Sequence, residues 1–198
     1  MPTLRIEDVR PPEAYESDRG ETRGRLAEAK RERRVALGEF LTLTFENHET
    51  VRGVLEEALR SERISDPGDV AVEVDAFAKL IPAAGELCAM SVLEVTDQAE
   101  LSRRHAAMEG VTAAICLEIG DSVIRPRDEH AADEAVAGLG YLRFHLTEQQ
   151  RRDFTDPGLE VALRVEHPAC RAHTVLTAAQ RDALASDLAS DLASDLAG

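Results

Sequence analysis

The spacing of apolar residues changes along this chain, and each change marks an element. From Glu13 to Ala36 the sequence is rich in Arg, Glu and Ala with helical spacing. Tyr15, Arg19, Arg23, Leu26, Lys30 and Arg34 recur at intervals of three or four, which gathers them near one face. Gly20 and Gly24 each weaken such a helix by about 1 kcal/mol relative to Ala. Its apolar stripe is thin, so the expected helix packs along an edge and stops at Gly38. Phe40–Phe45 alternates, with Leu41, Leu43 and Phe45 on one side and Phe40, Thr42 and Thr44 on the other, as a strand does.

Asn47 then stands where a helix N-cap belongs. Val51, Val54, Leu55, Ala58 and Leu59 follow at the spacing of a helix lying on a core. Asp66-Pro67 opens another helix, as cap and first helical position. Val70, Val74, Phe77 and Ile81 line its buried side, and Pro82 closes it. Leu87–Val95 reads as a strand, and Asp97 caps a short helix that ends at Gly110.

The remainder is richer in strand patterns. Val111–Glu118 is an expected strand, Gly120-Asp121 a hairpin dipeptide and Ser122–Ile124 its return. Residues 126–138 are charged and loop-like, or a short exposed helix. Tyr141–Leu146 and Leu159–Glu166 alternate, the second cleanly, which suits antiparallel sheet with one wet face. Leu146-Thr-Glu-Gln-Gln150 is echoed by Leu176-Thr-Ala-Ala-Gln180, and both read as a strand end followed by a Thr-x-x-Gln capping box. The end is a tetrapeptide repeat of Leu-Ala-Ser-Asp from Leu184. A four-residue period slips about 40° per step against an α-helix, so its leucines spiral. The pattern predicts an α+β fold: N-terminal helices packed with a mainly antiparallel sheet, and a C-terminal helix with a frayed repeat tail. An arm over 1–12, one domain over 13–184 and a low-complexity tail over 185–198 complete the division.

Composition narrows the function classes. The 198 residues carry a net charge of −15, which disfavours nonspecific nucleic-acid binding and anionic membranes. There are 21 Arg but only two Lys, Lys30 and Lys79. Cys88, Cys116 and Cys170 are an odd, scattered set and not a disulfide framework. The first twelve residues do not resemble a secretory leader, and no apolar run reaches membrane-spanning length. A cytoplasmic location is expected.

Two clusters offer chemistry. Glu46 and His48, with Glu49 beside them, could do acid–base work or hold a metal at the strand–helix corner. The competing reading is a solvated cap. His167-Pro-Ala-Cys170-Arg-Ala-His173 offers nitrogen and sulfur ligands, and His145 with His167 and His173 makes a candidate metal set. Pro168 interrupts the segment, and the spacing is that of neither a zinc finger nor a helical ligand pair. Ser102 stands where a Glu-x-x-His motif before His105 needs its acid. No dinucleotide fingerprint, phosphate loop, nucleophile elbow or Cys-x-x-Cys occurs, so no cofactor is assigned. Arg33, Arg34, Glu46, Asn47 and Glu57 are the candidate binding residues. The chain reads more readily as a binding protein than as an enzyme; a small enzyme or metal-binding protein using the Glu46–His48 corner or the histidine set is the alternative.

Several short motifs together resemble one family. They are Tyr15-Glu16, Arg19, Arg23, Lys30, Arg33-Arg34-Val35, Phe45-Glu46-Asn47 with Thr50, Arg60 to Ile64, Leu80-Ile81-Pro82 and Glu86-Leu87. In these the chain resembles domain-of-unknown-function family three-five-zero-one. It departs in having Phe77-Ala78 where that pattern has Tyr-Asn, and Cys88-Ala89-Met90 where it has Ser-Ala-Thr. The resemblance implies an accessory role beside a rubrerythrin-like protein and an iron–sulfur protein, in peroxide defence or electron transfer. It implies no substrate.

Overall fold

The structure is a computed structural model that describes residues 4–127 and 138–195. His130 and most of the 126–138 stretch, expected as a loop or a short exposed helix, lie outside the described residues. Among the described residues six α-helices and eight strands follow in the order α1 (Pro12–Arg31), β1 (Arg34–Leu37), β2 (Leu41–Glu46), α2 (His48–Glu62), α3 (Pro67–Ala78), β3 (Glu86–Leu93), α4 (Gln98–Ala107), β4 (Ile115–Ile119), β5 (Ser122–Ile124), β6 (Gly138–His145), α5 (Glu148–Thr155), β7 (Val161–His167), β8 (Cys170–Val175) and α6 (Ala178–Asp195). The fold is α+β. Its strands form two four-stranded sheets, β1-β2-β3-β6 and β5-β4-β7-β8, and every pairing is antiparallel.

The two sheets share one core. Val35, Leu43, Phe45, Leu87 and Phe144 from the first sheet meet Ile115, Leu117, Leu163 and Val165 from the second. Alternation delivers these side chains inward, as the pattern of β2 and β7 requires. Leu184, Leu188 and Phe154 from α6 and α5 close the end where β2 finishes, and Met108 and Val111 after α4 close the other. The sheets also touch along their edges. Thr174 Oγ1 donates to Ala36 O at 2.8 Å on one side, and Arg127 bridges to Arg143 on the other.

The helices α2 and α3 build a second, smaller core of Leu4, Val51, Leu55, Leu59, Val74 and Ile81. From Leu4 onward the expected N-terminal arm is docked, since Leu4 is buried in this cluster. α1 crosses α2 at Gly53, where a Cβ would lie 2.2 Å from Leu26 Cδ1. α2 is thus gripped from two sides, and Val54 falls outside both at 40% exposure. Among the described residues no helix is long and apolar enough to cross a membrane.

Several expectations are corrected here. The first helix ends at Arg31, and Arg34–Leu37 is a strand with exposed and buried residues alternating. Pairing with β2 overrides helical propensity, and Gly38 (φ 75°) serves the β1–β2 turn. Val111–Ala114 is a 3-10 turn, so β4 starts only at Ile115. The histidine–cysteine segment is a hairpin, with His167 paired to Cys170 across Pro168-Ala169. The expected tail beyond Leu184 is partly core, because Leu188 is also buried. Both Thr-x-x-Gln boxes form: Thr147 and Gln150 exchange bonds ahead of α5, and Thr177 and Gln180 do so ahead of α6.

Candidate functional site

The predicted binding residues separate into three clusters, of which two are frame, with Arg34 apart from all three. Glu57 belongs to the α1–α2 seam, where the thin apolar stripe of α1 is replaced by paired charge. Arg19 donates to both Glu57 oxygens, the shortest bond being 2.7 Å, and the Tyr15 hydroxyl donates at 2.8 Å. The Arg19 hydrogen bonds, aided by Tyr15 and Arg60, hold the Glu57 carboxyl down at about 2. Burial, then the bond to Glu57, pushes the Tyr15 phenol up to about 12. Deeper in the same seam, Arg10 wraps Glu56 with its backbone N–H, Nε and Nη2 and holds Asp18 with Nη1.

Arg33 and Asn47 belong to the second cluster, which seats α6. Arg33 forms a two-toothed pair with Asp187, both bonds 2.8 Å, and Asn47 Nδ2 donates to the same carboxylate at 2.9 Å. The Asp187 hydrogen bond raises the Arg33 pKa further. Asn47 also caps α2, accepting from Thr50 N at 3.0 Å while its own N–H donates to Thr50 Oγ1 at 2.9 Å. Arg34 pairs instead with Glu94 at an exposed position on the sheet edge.

Glu46 is different. It ends β2 on the sheet face turned away from the shared core and is only 6% exposed. Its Oε1 accepts from Lys30 Nζ at 3.1 Å, while its Oε2 is buried without a hydrogen-bond partner among the described residues. The register places Glu46 beside Cys88, and Cys88 beside Arg143. Arg143 is engaged by Glu86 at 3.1 Å and by the carbonyls of Ile81 and Lys79. Burial, with Glu46 and Glu86 adding to it and Arg143 opposing, pushes the Cys88 thiol up to about 11. Cys88 is therefore a thiol at neutral pH and a poor nucleophile. One step along the strands, Thr44, Met90 and Tyr141 form the neighbouring row. His48 opens α2 but shares no hydrogen bond or ion pair with Glu46 among the described residues.

The three histidines are not brought together. His145 lies on β6 of the first sheet, 3.7 Å from Glu86. His173 lies on β8 of the second, 3.2 Å from Glu118. His167 ends β7, where Nδ1 accepts from Ala169 N; Nε2 is then free to donate to Glu109 O at 3.2 Å. Among the described residues no cluster of three or more His, Cys, Asp or Glu could hold a metal ion.

The motif residues thus have places: Tyr15, Arg19 and Lys30 on the α1 seam, Phe45-Glu46-Asn47 at the corner, and Leu80-Ile81-Pro82 over Arg143. A family profile described as "Protein of unknown function (DUF3501)" matches residues 3–188. The chain belongs to the DUF3501 family. No curated protein matches it. A crystal structure of a protein of unknown function from Burkholderia pseudomallei is similar in fold, with a TM-score of 0.85 and 24% identity, covering 94% of this chain and 99% of that one. DUF3501 membership therefore ties these motifs to a fold. Sequence reasoning missed Asp187 because it sits in a repeat that reads as low complexity. It missed Arg143 because one Arg in a strand has no local signature. The inward residues Cys170, Ala172 and Thr174 are small and only partly buried, too weak an apolar signal to have revealed β8.

Proposed function

We propose that this protein is an accessory, partner-binding protein of a cytoplasmic redox module containing a rubrerythrin-like protein and an iron–sulfur protein. The family resemblance supports the choice of partners. One observation supports binding over catalysis. The arginines that could serve a Glu46–His48 site are spent on holding elements together, Arg33 on Asp187 of α6 and Arg34 on Glu94, and His48 shares no hydrogen bond or ion pair with Glu46 among the described residues. The role is to bind and position, in peroxide defence or electron transfer.

The test is purification of the tagged protein from native extract, followed by mass spectrometry. Enrichment of a rubrerythrin-like or an iron–sulfur protein over a tag-only control is expected. Repeated absence of both overturns the reading.

A further inference from the structure

We infer that the groove between the docked N-terminal segment and α3 is an anchor point for a partner protein, and that its occupant is a segment of that partner carrying one large apolar side chain between basic residues. The inference rests on the partner-binding reading in one respect, that the protein binds a partner, and is indifferent to which partner that is.

The groove exists because the segment before α1 packs down. Leu4 is buried in the smaller core, and Ile6–Asp8 turns as a short 3-10 helix. Ile6 and Val9 of this segment, Pro12 of α1, Leu59 of α2, and Pro67 and Val70 of α3 line a space of about 190 Å³. An apolar cavity of about 150 Å³ takes a benzene ring, so there is room for one aliphatic or aromatic side chain. Ile6 is still 42% exposed. A large apolar residue left open beside an apolar concavity is covered when an anchor enters, and one such anchor inside a polar rim carries much of an interface's affinity.

Charge selects the flanks. Asp8, Glu13, Asp66 and Asp69 are each the chain neighbour of a residue lining the groove. Asp8 and Asp66 accept from backbone N–H groups, and none of the four has a basic side-chain partner among the described residues. The arginines that line the groove or neighbour its lining in the chain are taken. Arg5 pairs with Glu7, Arg10 with Glu56 and Asp18, and Arg60 with Glu16 and Glu57. Glu13, Asp66 and Asp69 stand at the starts of α1 and α3, but a helix N-terminus offsets only about half a charge. The rim therefore stays acidic, attracts basic flanks and repels acidic ones. A second copy of this chain, at a net charge of −15, is the wrong occupant.

The experiment titrates a fluorescein-labelled peptide, Arg-Lys-Phe-Arg-Lys, with the full chain and follows anisotropy. Saturable binding is expected. It should weaken about tenfold or more when Ser replaces the central Phe, since the buried side chain is lost, and disappear when Glu replaces the four basic residues. Ile6→Arg, which sets a cation in the exposed lining, should weaken binding about tenfold or more. Asp69→Lys, at an exposed position on α3, repeats the test if the first variant fails to fold, and thermal unfolding checks both. Glu148→Lys, exposed on α5 and outside the groove lining, should leave binding within about twofold. The inference is overturned if the peptide does not bind saturably, if the Ser peptide binds equally, or if Ile6→Arg and Asp69→Lys both bind as the wild type does. It is also overturned if Glu148→Lys weakens binding as much as they do, or if the wild type sediments as a dimer that Ile6→Arg splits. In the pull-down, a rubrerythrin-like or iron–sulfur protein captured equally by wild type and Ile6→Arg removes this groove and leaves the redox-module reading in place.

Discussion

Arg10 shows how much one side chain can hold. It satisfies both oxygens of Glu56, whose side chain is only 1% exposed, reaches Thr22, and stacks 5.1 Å above the Tyr15 ring. Removing one partner of such a pair leaves a buried charge without compensation, which costs about 3–5 kcal/mol. Arg10→Ala should lose about that much in urea denaturation, whereas the exposed pair of Arg31 and Glu28 should be worth under about 1 kcal/mol. Glu57 makes a pH prediction. Its folded pKa lies below its unfolded value, so its stabilisation is full above the unfolded value of 4.5 and is lost as pH falls from there towards about 2. Glu57→Gln should therefore flatten the acid limb of the stability curve in that window. The Asn47 cap was legible from sequence, because capping is local chemistry. The Arg10–Glu56 pair was not, because its partners are 46 residues apart and a polar stretch before two prolines reads as an arm.

At the scale of elements, α6 is held by one local device and two distant ones. The Thr177–Gln180 box starts it, and Arg181 fixes it to the carbonyls of Phe154, Leu159 and Asp156. Asp187 then locks it to Arg33 and Asn47. The repeat lends this helix an unusual tolerance. Deleting Leu184–Asp187 brings Leu188-Ala-Ser-Asp191 into the vacated places, so the chain entering the seat reads the same. The thermal midpoint should stay within about 2 °C, whereas Asp187→Ala should lower it by several degrees, about 3 kcal/mol, since Arg33 is left unpaired at 11% exposure. A full-length helix cannot simply slide by one repeat to bring in Asp191, because that would pull Arg181 from its carbonyl partners. The elements themselves were legible wherever apolar residues alternate or recur helically, as in β2, β7, α2 and α3. They were illegible where a partner supplies the reason. β1 continues the composition of α1 and becomes a strand only because β2 lies beside it.

At the scale of the whole molecule, the question is whether two cores make one cooperative unit. The sheets share the larger core, and the helical layer has its own. The links between the layers are largely polar: Lys30 to Glu46, Arg33 to Asp187, and Arg143 of β6 to the Ile81 carbonyl after α3. Apolar contact alone would let a helical layer of this size open separately. These ties instead involve buried or half-buried charges, and opening the layer would leave several of them unpaired at once, which penalises any half-open state. One transition is therefore expected. The chain has no Trp and only two Tyr: Tyr15 is sealed in the α1–α2 seam, and Tyr141 is on the sheet. In a Tyr141→Phe variant, emission reports on the helical layer alone, while far-UV circular dichroism reports on the whole. Coincident urea midpoints would establish a single unit. A Tyr15 midpoint at lower urea than the dichroism midpoint would show that the helical layer leaves first. Lys30→Met should then widen that gap, because it cuts the tie at Glu46.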